Sequence, residues 1–300
     1  PGGDTYYNLA VCFMYQEKTN DAIHYFKQAL SEKQNMEASH INLGGLLIRN
    51  NHLKEAESHY KKALKLNPNN AEIKHILSAL TGKNIVEKAP TEYVESLFNQ
   101  YAHYYDQHLV KHLSYQAHTL LLSYFDKEYW NDKSLNILDL GCGTGLCGEL
   151  FKDYAKTLTG IDAAEKMLQL AESKNIYDTL IAGDITTELP LITNQDLILA
   201  ADVLTYFGDL TNVINQCYNS LKSKGMIGFT LESLHSKPQY TLQHSIRYAH
   251  NYEYILQSLT DAGFINIKIN SCTLRQQFKQ PVNGYAIIAE KDESKHGIEE

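Results

Sequence analysis

A chain of 300 residues is long enough for two hydrophobic cores, and 43% hydrophobic with 21% charged residues is the balance of a folded soluble protein rather than a disordered or membrane-embedded one. A formal charge of -8, with no sustained run of Lys and Arg, sets aside DNA and RNA as tight partners, and no apolar stretch approaches the roughly 18 residues of a membrane span. Five scattered Cys (Cys12, Cys142, Cys147, Cys217, Cys272) form no CxxC pair, which argues against a disulfide framework or zinc site; with no secretion leader, the expected location is the cytoplasm.

The first 66 residues repeat at an offset of 34, so that Leu9 matches Leu43, Ala10 Gly44, Phe13 Leu47, Ala22 Ala56, Phe26 Tyr60 and Ala29 Ala63. Small residues at Ala10, Gly44, Ala22 and Ala56 predict closely approaching helices, with Phe26 and Tyr60 filling the space between units. This pattern resembles the tetratricopeptide family over about residues 3–69, with Pro68 closing the second copy; the first copy departs from it at Tyr6 and Gln34. A further helix over Ala71 to Leu80, stopped by Thr81-Gly82, reads as a cap. The chain opens on Pro-Gly-Gly, so the number of repeats stays open on that side.

Residues 83–91 read as a polar linker, and 92–129 as helical and Tyr-rich. From Asn136 short apolar runs alternate with helical stretches. Strands are expected at 136–140, 157–161, 179–182, 196–200, 226–232, 264–269 and 284–289, in a mostly parallel sheet with helices on both faces. The tail from Lys291 reads as loose.

The run Asn136 to Gly145 is a strand entering three glycines at alternate positions, where backbone can approach a nucleoside-type ligand closely. Gly143 to Gly148 also satisfies the dinucleotide spacing formally. Counted from Gly141, however, the third position falls on Leu146, and Asp139 would repel a pyrophosphate while suiting a cofactor that carries an ammonium and a sulfonium. The residues Asp139-Leu-Gly-Cys-Gly-Thr-Gly145 resemble motif I of the class I methyltransferases, which implies S-adenosylmethionine. Asp162, ending the second strand 21 residues after Gly141, falls where an acid accepts from ribose hydroxyls. The resemblance further implies Asp184 at the adenine amino group, Ile185 on the ring, and Ala200 and Ala201 beside the methionine part. Cys142, Gly143, Ala163 and Met167 complete the implied pocket, with Tyr101 and Tyr105 as a lid.

The whole chain is similar to predicted bacterial methyltransferases with N-terminal tetratricopeptide repeats, through Tyr93 to Phe98, Tyr105-Asp106, Ala201 to Leu210, Arg247 to His250 and Leu274-Arg275. The expected architecture is therefore an all-α repeat module (1–82) followed by an α/β Rossmann-like class I methyltransferase domain (91–290) with a seven-stranded sheet, a helical cap over 91–130 and a loose tail (291–300). The fourth strand ends in Ala-Ala-Asp-Val-Leu-Thr-Tyr, unlike the Pro-containing motif of adenine and glutamine amino methyltransferases, which sets those acceptors aside. His250 is the first candidate base, then Tyr206 and His244, with Asp202 as orienting acid. Arg247 and Arg275, with Tyr206, are candidate contacts to an anionic acceptor. His108 and His112, four apart, lack a third ligand and argue for no metal. The expected partners are a small-molecule or protein methyl acceptor and a protein bound by the repeats. The rival readings are a non-catalytic cofactor-binding scaffold and a nicotinamide-dependent oxidoreductase.

Overall fold

The computed structural model describes residues 2–102, 105, 115–126, 130, 133–236, 238–277 and 280–293. His108 and His112 lie outside the described residues. The chain divides into two compact units, Pro1–Val86 with Leu242–Arg247, and Glu87–Thr241 with Tyr248–Glu300. Among the described residues no helix is long and apolar enough to cross a membrane.

The first unit contains α1 (Gly3–Tyr15), α2 (Thr19–Glu32), α3 (Glu37–Arg49), α4 (Leu53–Leu66) and α5 (Ala71–Thr81). The sequence period reappears in the backbone. Glu17 and Asn51, one period apart, both turn with left-handed φ (57° and 60°), and the amides that follow them, on Lys18 and His52, donate to the carbonyls of Phe13 (3.0 Å) and Leu47 (2.8 Å). Ala10, Ala22, Phe26, Leu43 and Ala56 are completely buried. A Cβ on Gly44 would lie 2.6 Å from the Tyr60 ring, so the small residue is what lets α3 and α4 close on each other. The Asn70 side chain caps α5 by accepting from the Ile73 amide at 3.0 Å, and Gly82 ends it with φ 67°.

The second unit is built on a nine-stranded sheet: β1 (Leu135–Leu140), β2 (Ala155–Asp162), β3 (Thr179–Ala182), β4 (Gln195–Ala200), β5 (Leu221–Leu234), β6 (Tyr240–Leu242), β7 (Tyr248–Asn251), β8 (Phe264–Gln277) and β9 (Gln280–Lys291). The strand order is β3-β2-β1-β4-β5-β7-β6, with β9 antiparallel to β5 and β8 antiparallel to β9. Adjacent pairs from β3 through β5 to β7 are parallel. The sequence pattern locates seven of these strands; β6 and β7, three and four residues long, are too short to show an alternation of their own. Among the described residues its α-helices are α6 (Thr91–Tyr101), α7 (Ala117–Tyr124), α8 (Leu146–Phe151), α9 (Glu165–Ser173), α10 (Ile185–Glu188), α11 (Thr211–Ser220) and α12 (Tyr252–Ala262).

Continuous apolar runs in β1 and β4 are what a parallel strand covered on both faces requires. Ile137, Leu158, Leu197 and Leu199 pack with Phe125, Phe151 and Ile288 into one buried cluster. Each such side chain contributes roughly 1.5–3 kcal/mol on burial.

Two expectations at element boundaries are corrected. The stretch read as linker ends at Val86, because Lys88 bridges antiparallel to Phe207 and the Ala89 amide donates to the Tyr206 carbonyl at 2.8 Å. Lys291 is not the start of a loose tail. It closes β9, is 2% exposed, and donates from Nζ to the carbonyls of Tyr218 and Leu221, both at 2.8 Å.

Candidate functional site

The carboxyl ends of β1 to β4 face the same way, and the loop after β1 is the first element there. Gly141 and Gly143 hold φ of 60° and 54°, values that side chains resist. Their surroundings differ. A Cβ on Gly141 would meet Val203 Cγ2 at 2.4 Å, whereas on Gly143 nothing lies nearer than 4.0 Å, leaving a bare backbone face toward open space. The loop is tied to β2: the Cys142 amide donates to the Ile161 carbonyl at 3.0 Å, and the Gly143 amide to Asp162 Oδ2 at 2.8 Å.

Two cavities adjoin this loop. The larger, about 680 Å³, is lined by Lys88, Thr91, Phe98, Asp162, Ala163, Asp184, Ile185, Asp202 and Tyr206 among others. The smaller, about 330 Å³, is lined by Tyr115, His118, Asp139, Cys142, Thr144 and Leu146 among others. Tyr105, Gly141, Gly143 and Ala201 line both, so the two cavities meet at the glycine loop.

Four carboxylates reach these cavities, each in a different electrostatic setting. Asp139 is 1% exposed and accepts from the Tyr177 hydroxyl at 2.6 Å; burial pushes its pKa up to about 7, against the pull of the hydrogen bonds from Tyr177 and the Gly148 amide. Asp162 is raised by burial too, while the amides of Ala164 (2.8 Å, to Oδ1) and Gly143 draw it back. At Asp184 burial pulls upward, but hydrogen bonds from Lys88, Thr186 and Thr91 overcome it and hold the group at about 2. Asp202 has left-handed backbone (φ 61°), unusual for a residue with a side chain and a feature that concentrates at functional positions. Its amide donates to Thr230 Oγ1 at 2.8 Å and its Oδ1 accepts from Arg275 at 3.2 Å.

Of the residues singled out in the sequence, Asp162, Ala163, Asp184, Ile185, Asp202 and Tyr206 line the larger cavity, Asp139 and Cys142 the smaller, and Gly141, Gly143, Ala201 and Tyr105 both. Gly145, Met167, Ala200 and Tyr101 line neither. Gly145 (φ 89°) starts α8, and Ala200 is buried inside β4. Met167 packs with Ala102 and Ala164 beneath Phe98 and Tyr105, and the Tyr101 ring lies edge-on to Tyr105 at 5.7 Å.

Three candidates for chemistry require correction. His250 is completely buried, donates from Nε2 to the Gly208 carbonyl at 3.0 Å and stacks on Tyr254; burial lowers its pKa to about 4, and it lines neither cavity. Arg275, 3% exposed, directs its fork at Asp202 and Glu232, which leaves it holding protein carboxylates rather than an acceptor anion. Arg247 belongs to the segment grouped with the helical unit and lines neither cavity.

Lys88, Thr91, Tyr115 and His118 are cavity residues that the sequence does not single out. Each is a lone polar side chain at or beside the start of a helix, and only the folded sheet gives it a neighbour. Tyr177, the partner of Asp139, sits in the loop before β3 and carries no signal of its own.

Residues 138–229 match the family described as Methyltransferase domain, and residues 13–80 match the Tetratricopeptide repeat family. The chain is 30% identical over 155 residues to a malonyl-[acyl-carrier protein] O-methyltransferase of Bacillus anthracis, covering 49% of this chain and 57% of that one. It is likewise 30% identical over 101 residues to a ubiquinone biosynthesis O-methyltransferase of Pseudomonas savastanoi pv. phaseolicola, covering 31% and 43%. The chain thus spans about half the length of the curated relatives it matches. Among solved structures, phosphoethanolamine N-methyltransferase 2 of Haemonchus contortus, in complex with phosphomonomethylethanolamine and S-adenosylhomocysteine, shares the fold with a TM-score of 0.50 at 16% identity, over 67% of this chain and 58% of that one. The protein carries a methyltransferase domain of the S-adenosylmethionine-dependent fold, preceded in the chain by tetratricopeptide repeats.

Proposed function

We propose that the chain is an S-adenosylmethionine-dependent methyltransferase acting on an oxygen of a small-molecule or protein-borne acceptor, with residues 91–290 as the catalytic domain and residues 1–82 as a module that binds a protein partner. The observation that carries this reading is the pair of cavities meeting at Gly141 and Gly143, with separate carboxylates along their length. Their residues fit the cofactor. The bare face of Gly143 admits a ligand, Asp162 keeps acceptor capacity for ribose hydroxyls beyond its two amide bonds, and Ile185 and Phe98 offer apolar surface for an adenine ring. The protein already directs four donor groups at Asp184, so an adenine amino group would bind it by displacing Lys88 or Thr91 from the same cavity wall. The oxygen acceptor is suggested by the O-methyltransferase relatives.

When bound, the cofactor supplies an electrophilic methyl on a sulfonium, and the reaction is an in-line displacement that needs the acceptor about 3 Å away and aligned. Asp202 is the residue of this chain best placed to orient an acceptor hydroxyl and take its proton. It lines the larger cavity, and Arg275 and Thr230 fix it from behind. Tyr206, buried beside it and edge-on to Phe98 at 5.8 Å, would limit how the acceptor enters.

The test is transfer of labelled methyl from S-adenosylmethionine into a fractionated cell extract, with products read by mass. A new labelled product that requires the chain and is lost in Asp202→Asn supports the reading. Cofactor binding without any transfer favours the scaffold alternative.

A further inference from the structure

The two repeats fill one equivalent pair of positions with different chemistry. In the first copy Tyr6 on α1 meets Tyr25 on α2, with ring centroids 6.2 Å apart and planes 23° apart. One 34-residue period later the same positions hold His40 on α3 and His59 on α4, with centroids 5.1 Å apart. Here the rings meet through nitrogen: Nδ1 of His40 lies 2.8 Å from Nδ1 of His59. His40 is 4% exposed, and its Nε2 lies 3.2 Å from the Gln34 carbonyl in the turn before α3.

This geometry assigns the protons. A carbonyl only accepts, so Nε2 of His40 carries a hydrogen; a neutral His40 then presents a bare Nδ1, and the hydrogen between the rings belongs to His59. The contact holds with one hydrogen between the two nitrogens and fails with two. Charging both rings therefore replaces a bond between α3 and α4 with a repulsion, at a point where His40 also anchors the turn after α2. The first copy has no such dependence, because phenol rings take up no proton in acid. We infer that the His40–His59 pair is an acid-operated latch of the second repeat, closed while one hydrogen is shared and open when both rings are protonated. The latch is independent of what the second unit binds.

The surroundings set its direction. Burial lowers the pKa of both imidazoles, that of His59 to about 4, and Lys62 on α4 pushes both the same way. Lys27 on α2 adds to this at His59, Glu55 on α4 opposes it there, and the Gln34 carbonyl opposes it at His40. Glu55 is itself paired with Lys27 at 2.8 Å and feels His52 just before α4. As pH falls below about 6.5 the unfolded chain takes up protons that the folded unit refuses, so stability falls with pH; the share due to His59 is fully lost at about pH 4.

Hydrogen exchange read by mass spectrometry on the full chain, near pH 7.5 and near pH 5 and corrected for the intrinsic exchange rate, tests the latch. Protection of the α3 and α4 amides should drop tenfold or more at the lower pH. The drop should shrink to less than threefold when His40→Gln and His59→Gln are combined, since the amides still hydrogen-bond but take up no proton. His40→Tyr combined with His59→Tyr copies the first repeat, should behave likewise, and serves if the glutamine pair does not fold. A drop of undiminished size in either double variant, or equal protection of the unaltered chain at both pH values, would overturn the latch.

Discussion

Replacing Asp139 with Asn should make the protein more stable and its cofactor pocket worse, and the two effects should separate with pH. The carboxyl group is 1% exposed and burial raises its pKa from 3.8 to about 7; Asp162, Cys142 and Cys147 are the other titratable groups coupled to it, together with its partner Tyr177. Below about pH 4 both the folded and the unfolded chain hold the proton, and the group has no effect on folding. Between about pH 4 and pH 7 the unfolded chain releases it while the folded chain keeps it, so stability falls as pH rises; above pH 7 the full cost is present. A rise from 3.8 to about 7 corresponds to about 4 kcal/mol at most. The amide keeps one acceptor for Tyr177 but gives up the second oxygen, so the net gain expected at pH 8 is roughly 1–2 kcal/mol. Trp130, the single tryptophan, packs beside Phe151 and Tyr154 in this unit, so urea unfolding followed by its fluorescence reports the relevant transition. Asp139→Asn should match the unaltered protein near pH 4, exceed it at pH 8, and bind S-adenosylhomocysteine at least tenfold more weakly at pH 8. A stability difference that does not change between the two pH values, or undiminished affinity, would refute the reasoning.

The neighbouring glycines should respond in opposite ways. Gly141→Ala places a Cβ 2.4 Å from Val203 at positive φ, and should cost more than about 2 kcal/mol in thermal unfolding. Gly143→Ala meets nothing nearer than 4.0 Å, so it should cost only about 1 kcal/mol from its backbone while sharply reducing S-adenosylhomocysteine affinity. Arg275→Met leaves Asp202 and Glu232 without their shared guanidinium, all three side chains being under a tenth exposed, and should destabilise the fold by about 3–5 kcal/mol in denaturant titration. A near-neutral result there would mean that Arg275 is not a structural clamp.

Features with a period were legible in the sequence. The 34-residue offset survives into matched turns at Glu17 and Asn51, and the strand-then-glycine pattern at Asn136 to Gly145 appears as β1 and its loop. Acids at successive strand ends, Asp162 and Asp184, were legible for the same reason, since a parallel sheet brings those ends together. What failed was inference from residue type alone. His250 and Arg275 looked chemically capable, yet each is held inside the protein by Gly208 or by Asp202 and Glu232. Conversely, Lys88 acquires a role only because residues far away in the chain fold against it. Lys88 meets Asp184 and Thr186, 96 and 98 positions later.

The central claim is that the glycine loop cradles a sulfonium nucleoside rather than a dinucleotide, and a paired calorimetric titration tests it most directly. S-adenosylhomocysteine should bind the full chain at one site, and NAD should give no saturable heat at the same concentrations. Saturable NAD binding that S-adenosylhomocysteine does not displace, or silence toward S-adenosylhomocysteine, would contradict the account.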